Sequence, residues 1–207
     1  SIIAVGKDAP AERFPEIIVN QTTNSNQERP VISKLSNGDT VIGWTSNQDS
    51  WGEGIYARIF DADGKPKSAE FQVNQTEIFN QRQPSIDAIG DGYFVATWST
   101  MEEDGIRWDI KGRIFDNSGN FVTDEFKINQ EKLFAPGDPL SQGLPSVIRV
   151  DDSSFFVSWN STSDSIGRFF KNDGTPNGDQ FIINRGIRPV AGMLDQSTMI
   201  VASSNNY

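Results

Sequence analysis

The chain has 207 residues, a formal net charge of -10 and a pI near 4.5, with no cysteine and no histidine. That composition excludes disulfides, thiolate nucleophiles, Cys- or His-based metal centres and the usual general base. Nucleic acid would be repelled by the negative charge. No apolar run approaches the ~18 residues a membrane span requires, so no membrane insertion is expected.

The organising feature is a repeat. Phe14, Phe71, Phe126 and Phe181 open four units at spacings of 57, 55 and 55 residues, and Arg58, Arg113 and Arg168, like Gly64, Gly119 and Gly174, recur every 55. A strict period of this size marks stacked or radial supersecondary units. The first segment, to Phe14, reads as the second half of a unit, and its start at Ser1 rather than Met suggests a processed or excised piece. Each full unit then runs from a proline (Pro30, Pro84, Pro145, Pro189) into an alternating strand and a tight turn such as Asn37-Gly38 or Asp91-Gly92. A Val/Ile/Phe/Trp-rich strand follows (TVIGWTS, YFVATWS, FFVSWNS, TMIVASS). A variable loop leads to IYARIF, IKGRIF or SIGRFF, then a DADG, DNSG or KNDG turn, and an outer EFQVN, EFKIN or QFIIN strand. The chain ends in a first half that complements the half at its start.

These elements predict an all-β, single-domain, four-bladed β-propeller over 1–207. Its blades span about 30–74, 84–129, 145–184, and 188–207 plus 1–20, with the proline strand innermost and the two half-repeats pairing to close the ring. A β-trefoil-like barrel is the alternative. Trp44, Trp98 and Trp159 recur at one inward position and are expected to pack between blades. Trp51 and Trp108 lie in the variable loops beside Asp49 and Asp104 and are the candidate ligand contacts. Asn20, Asn74, Asn129 and Asn184 recur at strand ends as expected turn residues. Asn20, Asn74 and Asn160 also fit the N-glycosylation pattern. Arg58 and Arg113 are expected to pair across the hairpin with Glu70 and Glu125. Asp61, Asp63 and Asp116 resemble half a calcium loop, with too few ligands for a full one, so the expectation is no cofactor, calcium being the open alternative. Asp49, Glu102, Glu103 and Asp104 give the variable loops extra carboxylates for a loop-borne ion. A glycosidase would need a carboxyl pair ~5–9.5 Å apart, and no distinct acidic pair stands out in the sequence.

The phrases FQVNQT, NQRQPSIDAIGDGYFVATWS and IKGRIFDNSGNFVTDEF resemble a repeat of large secreted or surface proteins of bacteria and some ciliates. The plan is also similar to hemopexin-like and integrin-type four-bladed propellers. The resemblance implies a secreted β-rich adhesion or matrix-type module and carries over no catalytic residues. The expectation is a non-enzymatic secreted or cell-surface binding or adhesion module whose variable loops or central channel take a glycan or surface protein. The alternatives are a self-associating structural subunit of a fibre, coat or matrix, and a carboxylate-based glycoside hydrolase.

Overall fold

The computed structural model describes residues 3–4, 16–49, 51–130 and 142–204. Every described strand ladder is antiparallel, and no helix occurs among these residues. Two short strands, β1 (Ile3–Ala4) and β2 (Ile17–Ile18), pair with each other. Three four-stranded meanders follow. The first holds β3 (Gln27–Lys34), β4 (Thr40–Asp49), β5 (Gly52–Phe60) and β6 (Phe71–Gln72). The second holds β7 (Gln81–Ile89), β8 (Tyr93–Met101), β9 (Trp108–Asp116) and β10 (Phe126–Lys127). The third holds β11 (Gln142–Arg149), β12 (Ser154–Ser161), β13 (Asp164–Lys171) and β14 (Phe181–Arg185), and a last hairpin pairs β15 (Ile187–Met193) with β16 (Met199–Ser204).

Three consecutive self-contained blades fit the propeller and leave the trefoil alternative without support. The proline strands are innermost, as expected, with β3 against β7, β7 against β11 and β11 against β15. Their starts need correcting. Each innermost strand begins two or three residues before its proline, which sits inside the strand at a slip in register between Glu28 and Val31, Arg82 and Ser85, Gly143 and Ser146, or Ile187 and Val190. Proline has no N–H to give a ladder, so it is tolerated at such a bulge.

The half-repeats form two separate hairpins, and no ladder joins β16 to β1 or β2 among the described residues. Ile32 differs in exposure from its equivalent in the second blade. Its counterpart Ile86 is 7% exposed because it lies over Gly43 of the preceding blade, whereas Ile32 is 67% exposed.

Trp44, Trp98 and Trp159 are fully buried, as expected. At 150–250 Å² and ~25 cal/mol/Å², each contributes roughly 4–6 kcal/mol as an upper estimate. Trp98 packs with Ile55 and Val73 of the blade before it, and Trp159 with Ile110 and Ile128. The core therefore lies between blades, where the twisted faces meet.

Polar staples cross the same junctions, and here two expectations change. Arg58, Arg113 and Arg168 do not pair with Glu70 or Glu125. Each donates Nη1 to a carbonyl of the preceding blade's outer strand (Val19 at 2.9 Å, Val73 at 3.4 Å, Ile128 at 3.0 Å) and Nε to its own hairpin. Glu70 instead accepts the N–H of Gln21 and Thr22, and Glu125 that of Gln75 and Thr76. Gln180 does the same for Gln130 in the next unit. These carboxylates reach about 50 residues back, to the loop entering their own blade's innermost strand, which a search for neighbours across one hairpin does not find.

Candidate functional site

Antiparallel order brings the start of each innermost strand to the same edge as the loop between the second and third strands. In the second blade Arg82 pairs with Ser99 and Met101 with Trp108. The variable loops and the proline pairs therefore share one face.

At the centre of that face lies a cavity of about 460 Å³. Its rim is four residue-proline pairs: Arg29-Pro30, Gln83-Pro84, Leu144-Pro145 and Arg188-Pro189. The first residue of every pair is left-handed, with φ of 53°, 59°, 53° and 56°. A non-glycine residue held there costs of order 1–3 kcal/mol, so the inter-blade contacts must enforce it. They do so at three junctions. The N–H of Gln83 reaches Thr45 Oγ1 (3.3 Å), that of Leu144 reaches Gln83 Oε1 (3.0 Å), and that of Arg188 reaches Asn160 Oδ1 (2.7 Å).

Off this centre, a carboxyl pair lies at the edge of the second blade, Glu102 on the loop after β8 and Asp109 as the second residue of β9. Asp109 accepts Lys127 Nζ at 2.6 Å and Asn129 Nδ2 at 2.9 Å. Glu102 hydrogen-bonds to Asp109. Burial, that hydrogen bond and the Asp109 charge push the Glu102 carboxyl above its usual range, against the weaker pull of Lys127 and Lys111. Asn80 links the pair to the neighbouring blade: its carbonyl accepts the Met101 N–H at 2.9 Å and its Oδ1 accepts the Glu53 N–H at 3.0 Å. Asn80 thus ties the backbone at Glu53 in the first blade to that at Met101 in the second.

The expected ligand contacts separate. Trp51 is 64% exposed at the tip of the first blade's hairpin. Trp108 is corrected: it is 8% exposed, and the Arg82 guanidinium lies 3.9 Å from its ring centroid. The first residue of β9 is pulled under the blade edge by strand register, which loop composition does not reveal. Asp104 is exposed, but it organises its own turn, accepting the Ile106 and Arg107 N–H groups and the Arg107 side chain. The Arg107 backbone and side-chain bonds pull its carboxyl down to about 2. The side chain of Asp49 lies outside the described residues.

The residues singled out for a metal or a glycan take local structural roles. Asp61 Oδ1 accepts the N–H of Asp63 and Lys65, and Asp116 accepts those of Ser118 and Asn120, so each closes its own hairpin turn. Asp63 stands in the Asp61 turn as a donor. No cluster of three or more metal-ligating side chains occurs among the described residues. Asn20 and Asn74 are buried, their Nδ2 groups donating to the carbonyls of Thr22 and Thr76, so no glycan could be attached there. Asn74 Oδ1 also accepts the Ile55 N–H, and Asn129 Oδ1 that of Ile110. The recurring asparagine is therefore a staple between outer and third strands as well as a turn residue. Asn160 holds the rim at Arg188.

Glu102, Asp109, Arg82, Arg29 and Arg188 were not singled out by sequence as site residues. The one signal for the rim was the residue before each repeated proline, the only strand position that is arginine in two units, glutamine in one and leucine in one.

No protein-family model and no curated protein matches the chain. Solved structures do. It superposes on the α-L-arabinofuranosidase of Fusarium graminearum in complex with arabinobiose with a TM-score of 0.67 at 9% identity, over 97% of this chain and 66% of that one. The α-L-arabinofuranosidase of Podospora anserina in complex with cellotriose matches with a TM-score of 0.52 at 12% identity, over 82% of this chain and 56% of that one. The chain thus spans about two thirds or less of the length of these neighbours. At such identities the likeness shows the fold alone. The matching frameworks are those of glycoside hydrolases, against the expectation of a non-enzymatic binding or adhesion module. No helix among the described residues is long and apolar enough to cross a membrane.

Proposed function

We propose that the chain is a secreted carbohydrate-active propeller that cleaves glycosidic bonds on its proline-rimmed face, with Glu102 as general acid. The observation that carries this reading is the Glu102–Asp109 carboxyl pair at the blade edge on that face. Glycoside cleavage needs one carboxyl that stays protonated to give its proton to the leaving oxygen, and a second, ionised one ~5–9.5 Å away. Burial first, and then Asp109, fixed by Lys127 and Asn129, shift Glu102 toward its protonated form. A hydrogen-bonded partner is too close to serve as the second group itself. Glu53, across Asn80, is our candidate for that role, as base or nucleophile. The arabinofuranosidase frameworks support the reading by analogy of architecture, which by itself does not carry function.

The test is hydrolysis of a panel of aryl glycosides, α-L-arabinofuranoside included. Glu102→Gln is expected to lower kcat/KM by about 10²–10⁴-fold, the usual contribution of general acid catalysis. Asp109→Asn removes the neighbouring charge, lowers the Glu102 pKa and moves the alkaline limb of the pH profile to lower pH. No turnover of any glycoside, or an unchanged rate in Glu102→Gln, would sink the proposal.

A further inference from the structure

The rim of the central cavity is built to a common plan but carries different side chains, and that difference is informative. The left-handed residue before each proline stands off the ladder at the bulge and faces the cavity mouth in all four units. The backbone device is therefore architectural, and the side chain placed on it is where chemistry is chosen. Gln83 is already engaged, its Oε1 accepting both Ser99 Oγ at 2.9 Å and the Leu144 N–H. Leu144 is apolar. The remaining two are Arg29 and Arg188, exposed and in no ion pair among the described residues.

In a chain of net charge -10, two unpaired guanidiniums on a cavity with no acidic residue in its described lining form a local cationic focus against the overall field. The four prolines give the same mouth an apolar wall. A volume of about 460 Å³ lies within the ~300–1,000 Å³ of small-ligand sites. We infer that this mouth binds a carboxylate-bearing sugar, a uronate, with the guanidiniums on the carboxylate and the prolines against the C–H face of the ring. Guanidinium forks match a planar carboxylate by paired hydrogen bonds. A neutral sugar would leave both cations unused. This inference rests on the proposed hydrolase reading for its role, as the subsite that selects acidic glycans for the Glu102 loop on the same face.

The experiment is calorimetric titration of the full chain, the Glu102→Gln variant and an Arg29→Gln/Arg188→Gln double variant. The probes are glucuronate- and galacturonate-terminated oligosaccharides, their neutral glucose and galactose counterparts, and inorganic phosphate. Glutamine occupies the same left-handed position at residue 83, so the double variant keeps the fold, which its thermal midpoint checks. The expected result is uronate binding at least about 10-fold tighter than neutral sugar in both wild type and Glu102→Gln, and weaker by at least about 30-fold in the double variant. Equal affinity for acidic and neutral sugars, phosphate binding as tight as uronate, or uronate binding unchanged in the double variant would overturn the site. Uronate binding without hydrolysis of any glycoside would leave this site standing and remove the catalytic proposal. Hydrolysis with no preference for uronates would do the reverse.

Discussion

Replacing Arg113 by methionine decides whether the inter-blade arginines hold the blades together or are merely tolerated. The guanidinium is nearly buried, donates to Thr123 O at 3.0 Å and to Val73 O at 3.4 Å, and lies 3.7 Å from the Phe121 ring centroid. A hydrogen bond from a charged donor contributes about 1.5–3 kcal/mol, the longer one less, and a partly desolvated cation–π contact about 0.5–2 kcal/mol. Against this stands burial, which lowers the Arg113 pKa and measures the penalty of withdrawing the charge from water. Methionine keeps most of the stem and removes both terms, and buried charges replaced by apolar groups sometimes gain stability. Here the two carbonyls left behind are backbone groups of different blades, and stranding each costs about 1–3 kcal/mol. The balance predicts a loss of about 2–4 kcal/mol, read as a lower urea midpoint by tryptophan fluorescence at unchanged slope. A midpoint equal to or above wild type would refute the reasoning and show that desolvation wins.

Two further perturbations probe a polar staple and the packing within a blade. Burial raises the Glu125 carboxyl, but the Thr76 backbone and side-chain bonds, Lys111 and the Gln75 N–H outweigh it, and the net direction is down. A depressed carboxyl contributes stability above its unfolded pKa that is lost as pH falls through the folded value. Glu125→Gln should therefore flatten the fall in urea midpoint below about pH 4.5, and an unchanged pH profile would count against the staple. A Cβ on Gly167 would sit 2.4 Å from the Phe156 ring, whose neighbours Phe169 and Phe181 leave it little room to move. Gly167→Ala should cost about 1–3 kcal/mol by overpacking, seen as a lower thermal midpoint, and a neutral result would mean the ring relocates freely.

The fold was legible because its signal is periodic. Phe71 and Phe126, or Trp98 and Trp159, identify equivalent positions without any knowledge of contacts, and the alternation around them gives strand order. The polar chemistry was not, because it runs between units. Glu125 meets Thr76 about 50 residues back, and Arg113 meets Val73 40 residues back, so cross-strand reasoning within one hairpin paired them wrongly. Trp108 was misjudged for a related reason: composition made it a loop residue, while its pairing with Met101 places it at the start of a strand, under Arg82. The rim was hidden because a residue before proline reads as extended, away from helical backbone, and nothing local announces φ near 55°.

The repeat also explains why the site is asymmetric. Each unit supplies the same bulge at the cavity, and the three four-stranded blades add a loop beside it, so repeated backbone order by itself would make equal sites. Equal sites are poor at binding one small molecule, which has no such symmetry. Divergence at a few positions breaks the equivalence: arginine at 29 and 188 against glutamine and leucine at 83 and 144, and the acidic Met101–Trp108 loop against the short turn at Thr162–Ser163. Those substitutions lie on edges and loops where the inter-blade core is not disturbed, since Trp98 and Trp159 remain buried in equivalent places. The conserved part of the period thus holds the blades, and the positions that depart from it are where function is to be sought.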